Sequence, residues 1–428
     1  MFKMKFGGLA SRALKVVPTP KAKSKLERVV VPASVVDRCV EDPAALVQAV
    51  VNYVNFMINT GRFNRTELPP GAIQAYHCDY YLAQVNNGGH AQFVGNCGGN
   101  LSFTLPDIVD GLTAMKAKEH LKLAKKMARW VKKNPDEAEE QTGFEGGIAP
   151  ELAALDAPFF ELEKDHSITL MNARWIATWE HLEVVEDAKF EAVLNSSADM
   201  NPHKQTREAA AQVAQIAVCL SDPLRLGLGM AAGRIRPAEA MTWIGGGSYR
   251  EVEGEEQLAW SLGTTEGDRF AVVDDDFGVR MYGCIRGDNP HLKDFRGPQD
   301  LDKVSLDDVM AYQPDQVGAR LSEVPIDELL AAKDLAERLN AASMIAAMLD
   351  RVDSSAKFSM ATLAHAGPNA SGEDYLWVIV LLNDGRDAYS AIVTADQGIL
   401  YSEPGQKVLL SIEASEAAAY LQSFKDAA

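Results

Sequence analysis

Apolar positions recur at intervals of three and four from about residue 42 onward. Leu46, Val47, Val50, Val51, Val54, Met57 and Ile58 fall on one side of a helix; Gln48, Asn52, Asn55 and Asn59 take the other. Asp42-Pro43 has the chemistry of a helix start, an acceptor side chain before a proline whose φ suits the first turn, and Gly61 supplies the stop. The same periodicity predicts helices over 72–85 and 112–133, and a fourth from an N-cap at Ser167 through Trp175 and Trp179 to Leu182. Pro69-Pro70-Gly71, Gly98-Gly99, Gly143 and Gly146-Gly147 break the chain between them. Residues 42–190 therefore read as one all-helical domain.

Residues 191–205, with Asn195-Ser196-Ser197 and Asn201-Pro202, are polar and read as a loop-like boundary. A helix follows over 208–220, after which the period changes from 3.6 to 2. Segments 269–273 and 279–285 alternate as a hairpin around Asp274-Asp275-Asp276-Phe277-Gly278. Two helices, the shorter starting at Ser305 and the longer over 326–352, precede four strands at 358–365, 375–383, 388–395 and 399–402. Asn383-Asp384-Gly385 and Asp396-Gln397-Gly398 provide the turns. A terminal amphipathic helix spans 412–424. The expectation is a multi-domain α+β protein: an all-helical N-terminal domain, then an α+β domain at 205–428 with an antiparallel β-meander that a helix must cover.

Charge sharpens this picture. In 428 residues, 42 basic and 60 acidic side chains leave a formal −18. By count, residues 1–44 carry about +5, residues 45–190 about −6 and residues 191–428 about −17. The basic start lacks the unbroken apolar core of a secretory signal, so residues 1–41 are expected to form a solvated, flexible tail. A chain this acidic is repelled by nucleic acid and by anionic membrane, and its natural partner is a basic protein. The same charge also aids solubility.

Little in the sequence asks for catalysis. Five cysteines at long spacings, with no C-x-x-C, argue for a reducing, cytoplasmic setting and against structural zinc. His77-Cys78-Asp79 are consecutive on a helix, where side chains point ~100° apart and do not converge on an ion. Gly227-x-Gly229-x-x-x-Gly233 lacks the preceding strand of a dinucleotide fingerprint, and Gly245-Gly246-Gly247-Ser248 is no phosphate loop. No metal, cofactor or catalytic residue is expected. The helix over 112–133 carries a basic stripe of Lys118, Lys122, Lys125, Arg129 and Lys132 opposite Leu123, Ala124, Met127, Trp130 and Val131. That stripe is either a solvated face balanced by the acidic residues that follow, or a cationic patch for an acidic partner.

The segment from Tyr80 to Phe93 contains Asn87-Gly88-Gly89, then His90, Ala91, Gln92 and Phe93. It resembles the signature of the bacterial DNA-mimic protein family: an apolar helix, N-G-G, an aromatic, one residue, Gln and an aromatic. His90 departs from it, standing where the family has an aromatic such as Phe. Leu155-Asp156-x-x-Phe159-Phe160 is a weaker match, and the resemblance covers residues 45–190. It implies a non-enzymatic regulator whose carboxylates stand in for phosphates in the basic cleft of a DNA-binding protein. The candidate carboxylates are Asp136, Glu137, Glu139, Glu140, Glu161, Glu163 and Asp165, with Glu151 and Asp156 beside them. Asn87, Gly88, Gly89, Gln92 and Phe93 read as structural, since two glycines end one helix and let the next start at a sharp angle. Two alternatives stay open: an immunity-type protein that neutralises a toxin through its α+β domain, and an enzyme or small-ligand binder with a site at the domain junction.

Overall fold

A computed structural model describes residues 25–142, 147–274, 278–288, 313–354, 356–403 and 407–425. The chain divides at Gln205/Thr206 into two compact units. The architecture is mixed α+β, helical to about residue 234 and then built on two antiparallel sheets.

The first unit opens with β1 (Val29–Pro32), α1 (Ala33–Asp37) and α2 (Pro43–Asn59). The Asp42 carboxylate accepts from the Ala45 N–H at 3.2 Å and so caps α2, with Pro43 in its first turn. Then come α3 (Pro70–Cys97), α4 (Leu101–Ala114), α5 (Lys118–Lys133), α6 (Pro135–Glu139), α7 (Pro150–Ala153), α8 (Asp156–Asp165) and α9 (Ile168–Ile176). A short strand, β2 (Leu182–Val185), pairs in parallel with β1, and α10 (Asp187–Ala198) follows. Two apolar cores result. One gathers β1, α2, the start of α3 and α10 around Val31, Val50, Tyr53 and Met57. The other gathers the end of α3 with α4, α5, α7 and α8 around Tyr81, Phe93, Ile108, Met127 and Phe159.

The second unit begins in α11 (Lys204–Ser221) and continues into α12 (Pro223–Arg234), capped by Asp222 on the Arg225 N–H at 2.9 Å. Strands β3 (Met241–Val252), β4 (Glu255–Thr264), β5 (Gly267–Asp274), β6 (Gly278–Ile285) and β7 (Gln316–Pro325) form one antiparallel sheet in chain order. After α13 (Ile326–Arg338) and α14 (Ala341–Val352), a second antiparallel meander runs through β8 (Phe358–Pro368), β9 (Asp374–Leu382), β10 (Asp387–Val393), β11 (Gln397–Ser402) and β12 (Val408–Glu413). It ends in α15 (Ala414–Lys425). The α12 glycines explain the motif that mimics a nucleotide fingerprint: they let this helix pack against both sheets. A Cβ on Gly233 would sit 2.6 Å from the Ala364 Cα and 2.7 Å from the Leu363 carbonyl, both backbone atoms that cannot yield. One on Gly229 would meet nothing closer than 3.4 Å. Gly233→Ala is therefore expected to cost about 1–3 kcal/mol by overpacking. Gly229→Ala should be neutral or stabilising, because alanine favours the helix by ~1 kcal/mol. Urea unfolding of the two variants checks this, and equal responses would contradict the packing argument.

Several sequence expectations need correction. Residues 26–41 are not part of a flexible tail as expected, because Leu26 and Val29–Val31 are buried and β1 pairs with β2; residues 1–24 lie outside the described residues. This strand pair is a β element whose β2 lies inside the region read as all-helical. The single helix over 112–133 is two, since Lys116 adopts φ 63° and lets Met115 and Ala117 turn into the core. The helix from Ser167 stops at Ile176, and Leu182 lies in β2. Asn195-Ser196-Ser197, read as loop, is the last part of α10. The 326–352 helix breaks at Asn340, which is left-handed at φ 49°. Strands β3, β4, β7 and β12 went unread. The helix start at Ser305, the turn residues 275–277, and Gly143 and Gly146 lie outside the described residues.

Candidate functional site

The family-like motif lies in α3, where Gly88 and Gly89 depart from helical geometry and bend the helix. Gly89 has φ 77° and ψ −176°, a combination essentially reserved for glycine. After the bend, the His90 N–H loses its partner one turn back and donates instead to Asp156 Oδ1 at 2.9 Å. The same oxygen lies 2.6 Å from His90 Nδ1, and the Tyr81 hydroxyl lies 2.8 Å from His90 Nε2. Burial pushes Tyr81 well above the usual phenol range. It therefore keeps its proton, and the Tyr81 hydroxyl, the His90 ring and the Asp156 carboxylate form one chain of polar contacts across the bend. Phe159, fully buried, receives the rings of Tyr81, His90 and His120 edge-on at 5.4–5.6 Å.

The motif residues are mostly interior. Gly89, His90, Gln92 and Phe93 are buried, Gly88 is half-buried and Asn87 is exposed. Gln92 donates to Gln84 Oε1 at 3.1 Å, an acceptor it shares with Asn96 at 2.6 Å, so the amide ties the two halves of α3 together. Phe93 packs edge-on against Tyr81 at 5.2 Å. A partner protein can reach Asn87 and part of Gly88, while Gly89, Gln92 and Phe93 are interior.

The candidate carboxylates divide into three groups. Asp136, Glu137, Glu139 and Glu140, on α6 and its end, are all exposed, and none lies within ion-pair distance of a described basic side chain. Glu161 and Asp165 are also exposed, but Glu161 pairs with Lys164 at 2.7 Å and both line a groove whose other wall is basic. Glu163 is not a surface group: its carboxylate accepts from the Ile168 N–H at 3.0 Å and caps α9 together with Ser167. It also lies 2.9 Å from Nε2 of buried His120, close in distance though not aligned for a hydrogen bond. Asp156 is likewise committed inward, to His90. Its role had no local signal, since the partners are 66 residues apart.

The groove lies between α5 and α8 and has a volume of about 1000 Å³. Lys122, Lys125, Lys126, Arg129 and Lys132 form one wall. The basic stripe read from sequence is thus solvent-facing as expected, joined by Lys126, while Leu123, Ala124 and Met127 face the core. Lys122 is bonded to Glu119 at 2.7 Å. Lys125, Lys126, Arg129 and Lys132 have no carboxylate within ion-pair distance among the described residues, and the acidic α6 does not neutralise them.

The other candidates separate as their spacing implied. His77 turns to Asp107 at 2.9 Å, a carboxylate that also takes Arg65 at 2.7 Å, while Cys78 is buried against the Ile108 carbonyl. Burial pushes the Cys78 thiol far up and the Cys97 thiol up to about 12, so both are thiols rather than nucleophilic thiolates at neutral pH. No cluster of three metal-ligating side chains occurs among the described residues. No single described helix is long and apolar enough to cross a membrane.

Residues 66–179 match the family described as DMP19-like protein. The match takes in the bent α3, the Asp156 contact, α6 and both walls of the groove. No curated protein and no solved structure is significantly similar to the chain.

Proposed function

We propose that the protein is a non-enzymatic binding protein whose exposed carboxylates engage a basic protein, with DNA mimicry toward a DNA-binding protein as its specific form. The observation that carries this reading is the match of residues 66–179 to the DMP19-like family, a DNA-mimic family. The α6 carboxylates support it. Asp136, Glu137, Glu139 and Glu140 place four charges along roughly 6 Å of helix axis at ~1.5 Å per residue. That is close to the one charge per ~1.7 Å of duplex DNA. No described basic side chain forms an ion pair with them, and all four are exposed to solvent. Asp156 and Glu163 do not belong to this surface, and Glu161 and Asp165 face cations.

The test is affinity capture from the lysate of the producing cell, using the full chain and a variant with Asp136→Asn, Glu137→Gln, Glu139→Gln and Glu140→Gln. A DNA-binding protein retained at low salt, released by excess duplex DNA, and lost with the variant is the expected result. Retention that ignores both duplex DNA and the four substitutions would remove the proposal.

A further inference from the structure

The groove between α5 and α8 carries charge of the wrong sign for a phosphate-like surface, and the reading above leaves it unused. Its basic wall runs from Lys122 to Lys132, about 15 Å of helix at ~1.5 Å per residue, far longer than a single anionic group. Its apolar lining is Ala128, Pro158 and Leu162 with the edge of buried Leu123, and its second wall carries Glu161 and Asp165.

We infer that this groove docks an acidic amphipathic helix of a partner protein. Three features select that occupant. A three-turn helix is about 16 Å long, which matches the run of cations along the α5 wall from Lys122 to Lys132. The cations of α5 recur at three and four residues, the spacing at which a facing helix presents its own side chains. The two walls differ in sign, so the ligand must be acidic toward α5, apolar toward that lining and neutral or basic toward Glu161 and Asp165. A helix has three such faces. A nucleic acid strand does not, because its phosphates would also meet the α8 carboxylates. Lys125 and Arg129 sit exposed at the middle of the basic wall without a described carboxylate partner, so docking does not first require an internal ion pair to break. This is the helix-in-groove mode of peptide recognition, with apolar anchors supplying affinity and flanking charge supplying orientation.

The inference is independent of the carboxylate surface on α6, and its test keeps the two apart. A displayed library of random 14-residue peptides is selected on the immobilised full-length protein. Enriched sequences are expected to place Asp or Glu at three- and four-residue spacing beside a Leu-rich face. Their affinity for a Lys125→Glu, Arg129→Glu variant should fall at least tenfold and weaken with salt, while the four α6 substitutions leave it unchanged. Both side chains are exposed, so the fold should persist. Circular dichroism checks this, and the milder pair Lys125→Gln, Arg129→Gln provides a second reading at reduced amplitude. An absence of enrichment, enrichment of basic or non-amphipathic sequences, or affinity indifferent to both variants would overturn the inference. So would tight binding of a 14-nucleotide single strand that the Lys125→Glu, Arg129→Glu variant abolishes, which would make the groove a nucleic-acid site.

Discussion

Gly89→Ala is expected to destabilise the helical unit by about 3–5 kcal/mol. The backbone there, at φ 77° and ψ −176°, is a region that costs a non-glycine residue about 1–3 kcal/mol. The added Cβ would also collide with the Asp156 carboxylate. Moving that group unpairs the buried His90 N–H and Nδ1, and each unsatisfied buried polar group costs about 1–3 kcal/mol. For a unit of this size each kcal/mol lowers the melting temperature by about 2–4 °C, so the shift should be roughly 10 °C. Gly88→Ala should cost less. Its Cβ would press on the Gln92 side chain and displace the amide from Gln84, the loss of one hydrogen bond, but the backbone there is not in the left-handed region. Calorimetry of the two full-length variants tests the ranking. A Gly89→Ala transition within about 2 °C of the unsubstituted protein would show that the bend tolerates a side chain, contrary to this account.

Phe159→Ala should cost about as much, 3–5 kcal/mol by the usual penalty for emptying a buried aromatic site. Phe159 is fully buried, and the rings of Tyr81, His90, His120 and Phe160 all meet it between 5.4 and 6.1 Å. Removing it forfeits those edge contacts and leaves a cavity bordered by His90 and His120, whose polar atoms the aromatic ring now shields. Phe160, its neighbour in sequence, is 40% exposed and should tolerate alanine within about 1 kcal/mol. Denaturant unfolding separates the two. If Phe159→Ala proves no costlier than Phe160→Ala, the ring cluster does not hold the α3–α8 joint together.

Legibility followed the range of the forces involved. The cap at Asp42, the cap at Ser167 and the core face of α2 came straight from residue type and spacing, because each depends on neighbours within one turn. Four of the five strands of the second meander, β8 to β11, lie close to where the sequence places them, since alternation and turn residues are also local. Strand β3 was missed because Gly245-Gly246-Gly247 looks like a loop. In the fold, side chains at Gly245 and at Gly263 on the paired strand would run into the Trp243 ring, so the glycines make room for it. The site was harder to read. Glu161, Glu163 and Asp165 look alike in sequence, yet Glu163 caps a helix and the other two face a row of cations.

The sequence by itself determined where periodicity changes from helix to strand, which face of α5 is basic, and that two glycines interrupt α3. Each is a property of residues a few positions apart. The tertiary structure alone decided that Lys116 and Asn340 would break long helices, that residues 29–32 would pair with a strand some 150 positions later, and that Asp156 would clamp the α3 bend. The same holds for charge. Summed along the chain it made acidic surface the natural expectation, but a side chain's field depends on what packing places opposite it. Packing set α8 across from α5 and left α6 exposed. That arrangement separates carboxylates with open solvent before them from carboxylates that form one wall of a cationic groove.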